Sequence, residues 1–240
     1  MSERLGQPRP TDERRVCGMM TFSEYVTKRN AYSYPTVGLH GSIDRWTEVP
    51  FTTTHQLDCH QNHLLLSDEN EEVILGYLST IFWGYYSGKN NAKHSDRALA
   101  KVRLAYDGVK DIGVDSVAQE IRATFDKLKS NQYDEALRRL CHLPQLGIPF
   151  ASKVCAFLIP TNCGVIDRVI ANSYPCFGFS VYNNGYVKNN ADNKLNYAAY
   201  CSFLQKQADT LNSQGEPFQW RDRDGLRYPW RAVDIERALY

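Results

Sequence analysis

The middle of this 240-residue chain lacks acidic side chains: no Asp or Glu occurs from Ala136 through Ile166, where Arg138, Arg139 and Lys153 are the only formal charges. About a quarter of an average chain is charged, so a backbone segment there can approach a phosphate without repulsion. Long apolar runs are also missing, which excludes a membrane-spanning helix. The opening MSERLGQPRPTDERR has no apolar core and does not read as a secretory signal. Seven cysteines, an odd number with no CxxC pair, fit reduced side chains in an intracellular compartment. With no signal and no span, the expected location is the nucleus if the source is eukaryotic, or the cytoplasm and nucleoid if bacterial. Net charge is +1, which argues neither for nor against nucleic acid. There are no internal repeats and no low-complexity tracts.

What remains is predominantly helical. Residues 1–30 are expected to form a disordered basic tail, and 31–66, rich in Thr, Tyr, Gly, Pro and His, loops or short strands. Asp68 and Glu71 have capping-box spacing ahead of a helical period through Phe82 that Gly88 would end. Helices follow from about Ser95 to Gly108 and from Ser116. Two short ones are expected over 134–141 and 149–159, a loop over 174–190, a long amphipathic helix around Tyr197–Leu211, and a last one from Arg231. Lys89, Lys93, Arg97, Lys101, Arg103 and Lys110 form a strip that suits phosphates or simply a solvated helix face.

The segment LCHLPQLGIPFASKVCAFLIPTNCGVIDRVIA, residues 140–171, carries the most chemistry. Gly147 separates two apolar runs, and Pro149 suits the first turn of the next helix. Asp167 stands before another apolar run, where it reads as a helix cap, as a functional carboxylate, or as both. This pattern resembles the helix-hairpin-helix signature of base-excision DNA glycosylases, in particular the group with an 8-oxoguanine glycosylase fold. Leu143, Pro144, Leu146 and Gly147 match the hairpin, Ala151 a small packing position, and Asp167 the catalytic Asp, followed by Arg168 and Val169. Gln145 stands where the family has its first hairpin glycine. In the simplest alignment Pro149 falls at the lysine position of bifunctional members, which implies a monofunctional enzyme. A longer hairpin instead makes Ser152-Lys153 the nucleophile pair.

The resemblance implies two helical lobes within one domain over 31–240, with the hairpin motif (134–171) on the rim of a DNA-binding cleft. It implies removal of a modified base, oxidised guanine first, from double-stranded DNA by a monomer. No cofactor is required, and the hairpin is the place for a monovalent cation. Cleaving the glycosidic bond develops positive charge on the sugar, which a carboxylate such as Asp167 stabilises. A lysine such as Lys153, in an apolar setting, could form a Schiff base and cut the strand, or could simply snorkel to solvent. Leu146, Gly147, Arg138, Arg139, Arg168 and Lys89 are the expected DNA contacts. Trp83 and Tyr86, in the cluster IFWGYYSGK, and Phe150 are candidates to stack a flipped base, with a plain core role as the alternative. On the last helix Asp234 could read a purine edge or belong to an ion-paired outer face. The cluster HQLDCHQNH (His55, Cys59, His60, His63) has metal-ligand residue types in a spacing that matches no standard zinc pattern. RDRDG, with Asp222 and Asp224, reads as a turn. The competing class is a non-catalytic helix-hairpin-helix module that binds DNA through its backbone. A third reading is a glycosylase for hypermodified bases, with the 174–200 loops lining a wider pocket.

Overall fold

The computed structural model describes residues 20–86 and 94–240, and Lys89 and Lys93 lie outside them. The fold is mainly α. Helix α1, Phe22–Ala31, begins where a tail was expected, because Thr21 and Glu24 form a reciprocal capping box. A hairpin follows, β1 (Val37–Ser42) antiparallel to β2 (Arg45–Pro50), in register from Val37↔Pro50 to Ser42↔Arg45. Helix α2, Thr54–Leu65, occupies the second half of the stretch expected to be loop, with Thr53 as its cap.

Helix α3, Asn70–Tyr85, is buried on every side from Val73 to Trp83 and packs against α2, β1 and three later helices. Its N-cap is Glu69, without a side-chain hydrogen bond, so the expected Asp68–Glu71 box does not form. Helices α4 (His94–Ile112) and α5 (Val114–Lys129) follow. Gly108 does not end α4: the helix runs through it because a Cβ there would lie 2.7 Å from the Pro144 ring. Helices α6 (Tyr133–Leu140) and α7 (Ile148–Leu158) are joined by a tight turn, within a residue of their expected bounds. Helix α8 (Arg168–Ser173), an irregular stretch, α9 (Ala191–Ser213), a β3–β4 hairpin (Trp220–Arg221, Arg227–Tyr228) and α10 (Ala232–Leu239) complete the chain. Asp222 and Asp224 sit in that hairpin's turn, as read.

Helix α10 lies against α1 and α9, and all eight of its residues are buried. Its charged residues therefore face protein rather than water, contrary to an exposed ionic face. Asp234 accepts from Arg29 Nη2 (2.9 Å) and Arg231 Nε (2.7 Å). Arg237 and Arg231 both donate to Asp58 of α2. Arg29 also donates to Thr54 and stacks over Trp220 at 3.6 Å. Burial alone would raise Asp234, but Arg231, Arg29 and Arg237 outweigh it and hold the carboxyl well below its ordinary range. Asp234 is a structural ion, not a base-reading group. Cys59, Cys141, Cys155, Cys163 and Cys201 are free, while Cys176 is disulfide-bonded, which departs from the all-thiol expectation. Among the described residues no helix is long and apolar enough to cross a membrane.

Candidate active site

Several parts of the chain, from Tyr32 to Tyr240, wall a cavity of about 250 Å³. The end of α3 supplies Trp83, Gly84 and Tyr85, and α7 supplies Pro149, Phe150 and Lys153. The segment into α8 supplies Val165, Asp167 and Arg168, and Glu236 and Tyr240 close the space from α10. A second depression, about 390 Å³ beside Tyr182 and Lys188, is a shallow surface dish with no acid–amine set. The smaller cavity is the chemically equipped one.

Asp167 is placed by the helix it starts. Its Oδ1 accepts from the amides of Val169 (2.8 Å) and Ile170 (3.0 Å). Oδ2 receives no hydrogen bond among the described residues. Cap and cavity-lining carboxylate are thus the same residue, the double reading allowed by its position. Ahead of it, Ile166 donates its amide to Ser152 Oγ on α7 at 2.9 Å, which pins the Asp167 segment to the Lys153 turn.

Lys153 is 7% exposed. Its Nζ makes one long hydrogen bond, 3.5 Å to the Pro149 carbonyl, and no salt bridge among the described residues. The ammonium lies 5.3 Å from the Phe150 ring centroid and 5.8 Å from that of Trp83. Burial pushes the amine below the ordinary lysine range, against the opposing pull of Asp167 and Glu236. A lysine snorkelling to solvent would not show this burial.

Gly84 makes the arrangement possible. A Cβ there would stand 2.4 Å from Phe150 Cε1 and 3.1 Å from Lys153 Cδ. The glycine admits α7's own side chains. Trp83 donates Nε1 to the Pro35 carbonyl at 2.9 Å, which fixes its ring as a wall. Tyr85 stacks on Phe150 with centroids 4.5 Å apart.

No family model, curated protein or solved structure matches this chain.

Several expected site residues fall elsewhere. Tyr86 points away from the cavity and donates to Glu48 of β2 (2.7 Å); its neighbour Tyr85, about 100° round the helix, takes the expected place. Arg139 is committed to α5, with Nη1 donating to both Glu120 oxygens at 2.8 and 2.9 Å. Arg138 is exposed but pairs with Glu135 and Asp134 on its own helix. Leu146 is 3% exposed and its amide donates to Leu143 O, so neither part is free for a phosphate. The Gly147 amide, at the start of α7, meets no acceptor among the described residues, and the next residue, Ile148, is fully buried. At the hairpin, the Leu143 and Pro144 carbonyls already accept from Leu146 N–H and Tyr77 O–H, which leaves the cation expectation without support there. His60 bonds the Leu39 carbonyl and His55 stacks on Tyr228; no metal-holding group of His, Cys, Asp or Glu occurs among the described residues.

Glu236, Tyr32, Tyr34 and Tyr240 also line the cavity, and none was singled out from sequence. Tyr34 packs edge-on to Trp83 at 4.9 Å and to Tyr240 at 6.3 Å.

Proposed function

We propose that this protein is a DNA glycosylase, with α6, the turn and α7 as its helix-hairpin-helix and the cavity as the pocket for an extruded base. The observation that carries the reading is the convergence of Asp167, Lys153 and aromatic walls on one buried space. Its volume lies just below the range of about 300–1000 Å³ usual for ligand sites, which suits one flat ring system. Trp83 and Phe150 offer ring faces that offset the few kcal/mol cost of unstacking a base. The hairpin supports DNA docking: Gln145, at the family's glycine position, adopts a left-handed φ of 60°, and the amide of half-buried Gly147 has no acceptor among the described residues.

In this reading Asp167 stands beside the deoxyribose and stabilises positive charge as the glycosidic bond breaks. Lys153, desolvated and without an ion pair among the described residues, is the amine that attacks the sugar and forms a Schiff base, so the enzyme is a glycosylase with lyase activity. Arg168, exposed at the mouth beside Tyr186, meets the backbone. Oxidised purines are the first substrates to try.

The test is a panel of end-labelled duplexes, each with one modified base, cut with and without alkali. The expected result is cleavage without alkali, abolished in Asp167→Asn with DNA affinity retained. Cleavage only after alkali would make the enzyme monofunctional. Binding without base loss on any duplex would favour a non-catalytic DNA-binding module instead.

A further inference from the structure

Glu236 lines the same cavity as Lys153 and Asp167, yet neither role assigned above uses it. It is 4% exposed on α10. Gly164 brings it close: a Cβ there would lie 3.0 Å from Glu236 Cβ and 2.3 Å from Leu204 Cδ1, so the segment leading to Asp167 packs directly on α10 and α9. The groups that act on the carboxyl electrostatically are Arg237 on its own helix, Asp167 before α8, Lys153 from α7 and the Val165 amide. The Tyr200, Tyr32 and Tyr240 hydroxyls, from α9, the end of α1 and the chain terminus, also lie within its field. Arg237 is already held by both oxygens of Asp58. Asp167 Oδ1 is committed to two amides. Glu236 and Lys153 remain as an acid and an amine without full partners in one buried space.

We propose that Glu236 is the acid–base partner of Lys153: its carboxylate form takes a proton from the ammonium before attack and, as the neutral acid, returns it to the departing base. The role rests on the glycosylase reading. The first transfer leaves Nζ with a lone pair and Glu236 as the neutral acid. The lone pair forms the bond to C1′, the glycosidic C1′–N bond breaks with its electrons going to the base, and Glu236 protonates that base nitrogen. The new C1′-bound nitrogen then gives up one proton. Its lone pair closes the C=N bond as C1′–O4′ breaks, and O4′ takes that proton. Burial raises the Glu236 carboxyl to about 8, with Arg237 opposing and Asp167 adding, while burial lowers Lys153. With the acid raised and the amine lowered, the two lie closer together than in water, which eases proton exchange between them.

Glu236→Gln keeps the shape and removes the proton. Two single-turnover reactions read the consequence: base release from a duplex carrying 8-oxoguanine, and borohydride trapping on the same duplex with a preformed abasic site. Base release is expected to fall by about 100-fold or more, and abasic trapping, which needs no proton for a departing base, by at most about tenfold. Glu236→Asp should recover part of the release, and an unchanged thermal midpoint marks an intact fold. Equal losses on both substrates, or no loss on either, overturn the proposal. Wild-type base release without any covalent adduct also overturns it while leaving the glycosylase reading in place. Wild-type inactivity on both substrates overturns the two together.

Discussion

Asp234 and Glu236 lie two residues apart on α10, equally buried, and their surroundings differ completely. Asp234 meets Arg29, Arg231 and Arg237, with Asp58 sharing the guanidiniums, and nearly every donor has an acceptor. Glu236 meets a second carboxylate and a lysine that makes no salt bridge. The first cluster holds α1, α2 and α10 together. The second leaves charge uncompensated around an open cavity, the condition in which protonation states shift and chemistry becomes available. Burial of a charge is thus no guide to its role; the completeness of its pairing is.

The largest expected effect comes from breaking the compensated side. Asp58→Asn removes the shared acceptor of Arg231 and Arg237 and leaves both buried cations short of a partner, at a cost of about 3–5 kcal/mol in urea unfolding. A loss under about 1 kcal/mol would contradict the structural role assigned to this network.

The uncompensated side should reveal itself through pH. Glu236, raised by burial to about 8, holds a proton in the folded protein that the unfolded chain releases near 4.5. Its contribution to stability therefore falls as pH rises through that window, by at most about 1.4 kcal/mol per pH unit. Lys153, lowered by burial, acts in the opposite sense, adding stability as pH climbs from its folded value toward 10.5. In Lys153→Met the falling limb should stand alone, and adding Glu236→Gln should flatten it. A flat profile in Lys153→Met would show that Glu236 is not held protonated.

Gly84→Ala probes the cavity wall. The new methyl must displace the Phe150 ring and the Lys153 stem, costing about 1–3 kcal/mol, and Schiff-base formation should fall with it. Thermal unfolding and trapping assays check both. The smallest effect concerns the hairpin, away from either cluster. Gln145 sits at φ 60°, where glycine carries no steric penalty, so Gln145→Gly should stabilise by up to about 1 kcal/mol in the same urea titration. Destabilisation would mean that the Gln side chain supports the turn.

The comparison also explains what could be read from the chain. The α6–turn–α7 unit and the capping position of Asp167 were legible because local signals decide them: a Gly-Pro boundary, apolar periodicity, and a carboxylate before a helix. Helix α2 was not, because its buried face carries Asp58 and Gln61 among few apolar residues, and those find partners only in tertiary structure. Asp234 was open to reading as part of an outer face, and Glu236 was not singled out, because a charged helix near polar sequence normally faces water. Only the packing of α10 between α1 and α9 sends one toward three arginines and the other toward Lys153. Tyr85 and Tyr86 differ by one step of helical phase, which periodicity cannot fix at a helix end. Arg139 gave no sign of Glu120, which lies on the preceding helix.

The most direct test of the central claim, that the uncompensated cavity is a reactive site built on Lys153, is borohydride trapping on a duplex carrying 8-oxoguanine, followed by peptide mapping of the adduct. The account predicts one covalent adduct, on Lys153, lost in Lys153→Met. An adduct on any other lysine would contradict it, as would base release with no adduct at all.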